Sequence, residues 1–438
     1  MSSLSTHSVS PIQAGAARAV ITPRLGSSIP GYFVDRKAED VENELEAKAL
    51  ALRQGETTLS FVICDCIALY RETCDEAKRL IAARTGLPAQ HVLIAATHTH
   101  SGPATVSVFR TEADRAYLAE LPGRIADAVA LAVRRLEPAR IAWSVPRREG
   151  ILFNRRFRMK DGRVKMNPGV GNPDALEPVG PVDPEIPTLF VEAADGRPLG
   201  LLSSFALHYV GGPNTTLSPD YFGVFDRELG RLSGAGRDFV AIMANACSGD
   251  VNNIDVRGPR PEGAIFEQAC RVGRAVAEEV FRAWRSADFE TGVPLAARQT
   301  ERAWKRRVPS RADAEVLERE NVSRGHHDAY ARERRLLEAY PAEHRTVLQA
   351  FRIGSGAIAT LPGEMFCRLG LDLREASPFK PTAVIELAND YAGYCPTRLG
   401  HEHGGYETWL ARSSFLESGA GEALVEADLS LLRDLQRA

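Results

Sequence analysis

The stretch Ala95-Ala96-Thr97-His98-Thr99-His100-Ser101-Gly102-Pro103 holds the densest chemistry in the chain. Imidazole is the commonest protein ligand for zinc, and its proton comes and goes near neutral pH. The short apolar run Val92–Ala96 in front of it predicts a strand. In extended backbone, residues two apart point to the same side. His98 and His100 are therefore expected to project together at a strand end, with the Gly-Pro turn opening space beside them. Ligand sites in α/β proteins gather at such strand ends. Taken alone, the pair reads equally well as two histidines satisfied by backbone.

Other residues share this setting. His208 ends the apolar run Leu201–Leu207 and is followed by Gly211-Gly212-Pro213. A third histidine delivered by a strand to a turn argues for a metal cluster. Glu364 lies behind the Pro362-Gly363 turn after the predicted strand Ala357–Leu361. That position suits a metal ligand, and it equally suits an acidic residue at a helix start. Tyr391, Tyr394 and Tyr406 follow the predicted strand Ala383–Leu387 and read singly as packing residues. Ala244–Asn253 is small and polar, so backbone can approach a ligand closely there. Cys247 or Ser248 has the atom for a nucleophile, but no residue pattern supplies its base. HExxH, Walker A, a Rossmann glycine fingerprint and GxSxG are all absent.

The elements that position these residues alternate. Short apolar runs, including Leu59–Cys64 and Phe239–Met243, are interleaved with helical stretches at Cys74–Thr85, Ala113–Leu136, Asp220–Leu232, Ile265–Arg285, Arg311–Tyr340 and Gly421–Arg437. This predicts an α/β fold, a mixed β-sheet core flanked by helices. Phe157–Pro187 is rich in Gly, Pro and Asn and reads as a long surface loop. Arg307–His344 is a charged helical excursion. With no internal repeat and no linker, one domain over residues 1–438 is expected, with residues 1–13 unstructured and 157–187 and 307–344 as insertions.

The chain has 438 residues and a formal net charge of −3, which gives no general attraction to nucleic acid or anionic lipid. No apolar run reaches the ~20 residues needed to cross a bilayer, and the first residues lack a secretory pattern. The seven cysteines are scattered, odd in number and without a CxxC pair. A disulfide framework is not expected, and a cytoplasmic setting is.

Several of these segments, in order, resemble the catalytic domain of the neutral (non-lysosomal, alkaline) ceramidase family, from Ala14 to about Trp409. They are Ala17-Arg18-Ala19-Val20-Ile21-Thr22-Pro23 with Gly31-Tyr32, Thr97–Pro103, Phe205-Ala206-Leu207-His208, Pro362-Gly363-Glu364, and Tyr394 with Tyr406 at the matching spacing. No segment resembles that family's C-terminal immunoglobulin-like domain. The resemblance implies a zinc ion held by His98, His208, Glu364 and Tyr394. It makes His100 an unliganded active-site histidine, and Arg155 and Tyr406 active-site residues. Asp220 falls in a matching segment but receives no role. At Asn252 the family carries a serine, and asparagine cannot accept an acyl group. A zinc-activated water does not need that hydroxyl, and Asn252 is then expected to hydrogen-bond the substrate.

The implied activity is zinc-dependent hydrolysis of an amide (N-acyl) or ester bond. The polar insertions favour a small polar substrate over ceramide. Neither a nucleic-acid partner nor a stable membrane anchor is expected. The alternative is a non-catalytic ligand-binding or scaffold protein that retains the fold. Metal ligands kept without use would carry a desolvation cost, which argues against it.

Overall fold

The computed structural model describes residues 11–212, 214–259, 262–320 and 322–437. Two sheets pack face to face, each with helices on its outer side. The larger, eight-stranded sheet uses β1 (Gln13–Val20), β2 (Glu46–Gln54), β3 (Thr57–Cys64), β4 (Val92–Ala96), β5 (Glu137–Ser144), β6 (Thr188–Ala193), β7 (Pro198–Phe205) and β8 (Val240–Asn245), in the order β8-β7-β6-β5-β1-β2-β3-β4. The second sheet has the order β9-β10-β11-β12, formed by Leu295–Lys305, Glu343–Ile353, Gly356–Thr360 and Thr382–Ile385. Most neighbours are antiparallel. The pairs β3/β4, β7/β8 and β11/β12 are parallel. The expected mixed sheet flanked by helices is present, with a second sheet as an added layer.

The apolar faces explain the layering. Phe61, Ile63, Leu93 and Ile242 of the large sheet meet Phe351, Ile353, Ile358 and Ile385 of the second. Phe61 and Phe351 pack edge to face with centroids 5.3 Å apart. Truncating a buried Phe to Ala typically costs about 3–5 kcal/mol, against about 0–1 kcal/mol for a surface ion pair, so this interlayer core dominates. On the outer face of the large sheet lie α1 (Arg71–Thr85) and α2 (Arg115–Arg134) at one end, and α3 (Asp220–Ser233) and α4 (Ile265–Trp284) at the other. The second sheet is covered by α7 (Cys367–Ala376) and α8 (Ala420–Arg437).

The large sheet is not flat. Strands β4 and β8 end its order on opposite sides, yet they touch. Adjacent strands are each rotated by roughly 20–25°, and over a sheet this wide the rotations accumulate into a strong coil. Residues 386–389, directly after β12, bridge the two edges. Glu386 N donates to Asn245 O at the end of β8 at 2.9 Å, Ala96 N donates to Leu387 O at 3.3 Å, and Asn389 N donates to Ile94 O at 2.7 Å.

Several expectations need correction. Residues 1–10 lie outside the described residues, but Ile12 is fully buried and Gln13 opens β1. The interlayer core claims Ile12, which overrides the polar start. The predicted loop Phe157–Pro187 contains a small three-stranded sheet of Arg156–Met159, Val164–Met166 and Ala175–Pro178. The helix predicted over Arg311–Tyr340 is two, α5 (Arg311–Arg319) and α6 (Arg324–Leu337), carried between β9 and β10. His344 belongs to β10, not to the excursion. α2 ends at Arg134 because the chain turns directly into β5. Among the described residues, no helix is long and apolar enough to cross a membrane.

Candidate metal centre

The site lies at the C-terminal ends of the three parallel strand pairs. After β4, Thr97 N donates to Cys64 O and His98 N to Cys66 O, both at 3.0 Å. The backbone then leaves the extended form, with φ of +70° at His98. Projection of both histidines from one face of a strand is therefore not what brings them together. A left-handed residue turns the chain, and such strain in a non-glycine residue concentrates at functional sites. His98 Nδ1 lies 2.7 Å from Ile67 O. Because a carbonyl only accepts, Nδ1 carries the ring proton and Nε2 is left as a lone-pair donor.

His208 follows β7 and is set the same way, with Nδ1 3.2 Å from Ser248 O. The turn after it is held by Asp220, whose carboxylate accepts from Gly211 N at 2.7 Å and from Val210 N at 3.3 Å. Burial pushes the Asp220 carboxyl up to about 6 against those hydrogen bonds. Asp220, left without a role above, thus positions the His208 turn.

Glu364 and Tyr394 are register partners in a two-residue parallel ladder beyond β11. Their side chains therefore stand side by side, and the Tyr394 hydroxyl faces the Glu364 carboxylate. Glu364 Oε1 accepts from the Tyr391 hydroxyl at 2.9 Å. Gly249 packs against this ladder so closely that a Cβ there would sit 2.6 Å from Glu364 O.

These pieces converge. His98 Nε2 is 3.1 Å from His208 Nε2, 3.2 Å from His100 Nε2 and 3.3 Å from Glu364 Oε2. His208 Nε2 is 3.7 Å from Glu364 Oε2. Two ligands at 2.0–2.1 Å from a tetrahedral ion are about 3.3 Å apart. Glu364 Oε2 is buried without a hydrogen bond. Burial alone would raise the Glu364 carboxyl, but the adjoining His98, contact with Tyr394 and the Arg155 guanidinium hold it below the usual range. This buried anion needs a cation. A proton on His98 Nε2 satisfies one pair, whereas a metal ion at the centre satisfies every atom at once. The residues therefore fit a metal. The three histidines form a buried cluster with metal-compatible spacing.

Arg155 is also buried here, donating to Glu407 Oε1 at 2.9 Å and to the Tyr394 hydroxyl at 3.1 Å. Burial would lower its pKa, but Tyr394 and Glu407 outweigh this and keep the guanidinium charged. Tyr406 stands edge-on to Tyr394 with centroids 5.7 Å apart, on the segment that also carries Glu407. Asn252 sits behind Arg155 rather than against the histidines. Its amide donates to Asn167 Oδ1 at 2.8 Å and its carbonyl accepts from Ile254 N at 2.9 Å, while Asn167 N donates to Arg155 O.

Sequence reasoning gave no site role to several residues that the structure places here. Tyr209 stacks on His100 at 3.6 Å between centroids. Gly31, with φ of +103°, lets the backbone reach His100, and a Cβ there would lie 2.3 Å from His100 Nδ1. Tyr391 and Glu407 support Glu364 and Arg155. Their neighbours in sequence, His208, Tyr394 and Tyr406, were the available signal. Among the described residues, neither Cys247 nor Ser248 has an imidazole base bonded to its side chain that would activate it as a nucleophile. Burial raises the Cys247 thiol well above its ordinary value, and the buried Ser248 hydroxyl has its proton committed to the Glu386 carboxylate at 2.8 Å.

The buried imidazoles imply a pH dependence. Burial first, then the adjoining His98 imidazole and the Arg155 guanidinium, lowers the pKa of His100 and His208 well below 6.5. On acidification the unfolded chain takes up these protons before the folded one. Their contribution is present above about pH 6.5 and is lost as pH falls, by up to about 1.4 kcal/mol per pH unit for each residue. Urea unfolding of metal-free protein from pH 8 to 5 is expected to show this slope. His100→Gln should reduce it by one proton, and an unchanged slope in that variant would contradict the assignment.

The fold is that of neutral ceramidase. The chain aligns with the crystal structure of neutral ceramidase from Pseudomonas aeruginosa at a TM-score of 0.77 and 19% identity, covering 98% of this chain and 75% of that one. A structure of ceramidase complexed with C2 aligns at a TM-score of 0.73 and 17% identity, with the same coverage. No family model and no curated protein matches the sequence.

Proposed function

We propose that this chain, built on the neutral ceramidase fold, is a zinc-dependent hydrolase cleaving an N-acyl amide or ester bond in a small polar substrate. The observation that carries the reading is the convergence of His98 Nε2, His208 Nε2 and the unpartnered Glu364 Oε2, beside a charged Arg155. His98, His208, Glu364 and Tyr394 would hold the ion. Zinc bound there supplies a water activated near neutral pH and a Lewis acid for the carbonyl.

The chain's own groups do the rest. His100 is kept neutral by burial, so its imidazole takes a proton from the attacking water and returns it to the leaving amine or alkoxide. Arg155 donates to the oxygen that becomes negative, and the adjoining Tyr406 hydroxyl donates to the same oxygen or anchors the substrate. Tyr209 and Gly31 fix the His100 ring. Asn252 acts through Asn167 on the Arg155 backbone, with one amide hydrogen left for substrate. Support for a polar substrate is the polar Asn167–Asn252 pair beside Arg155. The cysteines are all unpaired, which supports a cytoplasmic setting.

The test is turnover by zinc-loaded and metal-stripped protein on N-acyl amino acids, N-acetyl sugars, short esters and a short-chain ceramide. Zinc-restored hydrolysis of a small polar compound is the expected result. Equal turnover without metal would end the zinc reading. Faster turnover of the ceramide than of every polar compound would overturn the substrate class.

A further inference from the structure

One buried carboxylate that the chemistry does not use joins the segments that carry the site. Glu386 follows β12 directly and is fully buried. Its Oε1 accepts from Ser248 N at 3.2 Å and from the Ser248 hydroxyl at 2.8 Å. Its Oε2 accepts from Met365 N at 2.7 Å. Ser248 is the residue whose carbonyl orients His208, and Met365 is the neighbour of Glu364. Gly249 N donates to Met365 O at 2.7 Å, so the two segments are also bonded to each other. On its other side, Glu386 begins the stretch that bonds β4 two residues before His98. Leu387 and Asn389 in that stretch have φ of +54° and +62°. Non-glycine residues hold this conformation at a cost of about 1–3 kcal/mol each, and only where the surroundings over-determine it.

A carboxylate this deep is costly unless fully hydrogen-bonded. Among the described residues no Lys, Arg or His forms an ion pair with Glu386. Every polar neighbour that bonds its side chain is a donor, from either Ser248 or Met365. We infer that Glu386 is a positioning residue that sets the separation of His208 from Glu364 and thereby the zinc affinity of the site. This rests on the metal-site reading above. It extends that reading to a residue that touches neither the ion nor the substrate.

Glu386→Gln is the near-isosteric probe. Whichever way the amide turns, its NH2 meets an N–H donor, so one of the two segments must move while core volume is kept. Zinc affinity, read by competition with a chromophoric chelator, is expected to fall by about ten- to a hundred-fold, the usual scale for groups that orient metal ligands. Ser248→Ala removes only the hydroxyl contact and should weaken zinc binding by a smaller factor. It also carries the test if Glu386→Gln does not fold. A merely structural role would lower the melting temperature of the metal-free protein and leave zinc affinity unchanged. Wild-type protein that takes up no zinc would remove the metal-site reading itself. Wild type that binds zinc, with the folded variants within twofold of it, would overturn the role of Glu386 alone.

Discussion

His98→Ala and His208→Ala are each expected to remove bound zinc and hydrolytic activity together. Their Nε2 atoms are 3.1 Å apart and each Nδ1 faces a backbone carbonyl, at Ile67 and Ser248. Both rings are therefore preset to offer Nε2, and deleting either opens one edge of the cluster. Metal catalysis contributes several kcal/mol to such reactions, so activity should fall by about a thousand-fold or more. Stabilisation by zinc should vanish as well. At a thousand times its dissociation constant, a ligand adds about 4 kcal/mol to folding stability. Elemental analysis and calorimetry with and without zinc check both effects. About one zinc per chain in wild type and none in the variants is the expected result. Variants that keep stoichiometric zinc would contradict the ligand assignment.

His100→Ala should separate the two properties, lowering turnover by about a hundred- to ten-thousand-fold while sparing zinc. Distance does not distinguish His100 from the others, since its Nε2 is 3.2 Å from that of His98. Its second nitrogen does. His98 and His208 have Nδ1 committed to a carbonyl, whereas His100 Nδ1 makes no hydrogen bond. The ring is held instead by stacking on Tyr209 and by the closeness of Gly31. An imidazole fixed in place whose Nδ1 is not locked to a carbonyl as those of His98 and His208 are suits proton transfer. Loss of zinc in His100→Ala would make it a ligand, and the base would have to be sought elsewhere.

The strands that deliver these residues were legible where burial is complete. Val92–Ala96 reads as an uninterrupted apolar run because it is buried along its whole length, and its predicted bounds agree with β4. The runs before His208 and Glu364 were located to within a few residues for the same reason. Strands β1, β2, β5, β6, β9 and β10 were missed. Gln-Ala-Gly-Ala-Ala-Arg-Ala-Val in β1 has the composition of a helix, and only its place between β2 and β5 makes it a strand. Much of β9 is exposed and charged, so its pairing with β10 left no apolar alternation to read. Tertiary pairing overrides local propensity in such strands.

The sequence by itself determined the chemistry of the centre: three imidazoles and a carboxylate placed just past apolar strands, with tyrosines further on in the loop after the last of them. These are local properties, set by residue type and by the few positions on either side. Only the tertiary structure decided that they meet. His98 and His208 follow strands near opposite ends of the eight-strand order, and no pattern in either segment encodes their separation. The coil of the sheet, closed by residues 386–389, brings them together. That closure rests on hydrogen bonds between residues distant in the chain, and Glu386, Tyr391 and Glu407 likewise bond to partners that are known only once the chain is folded.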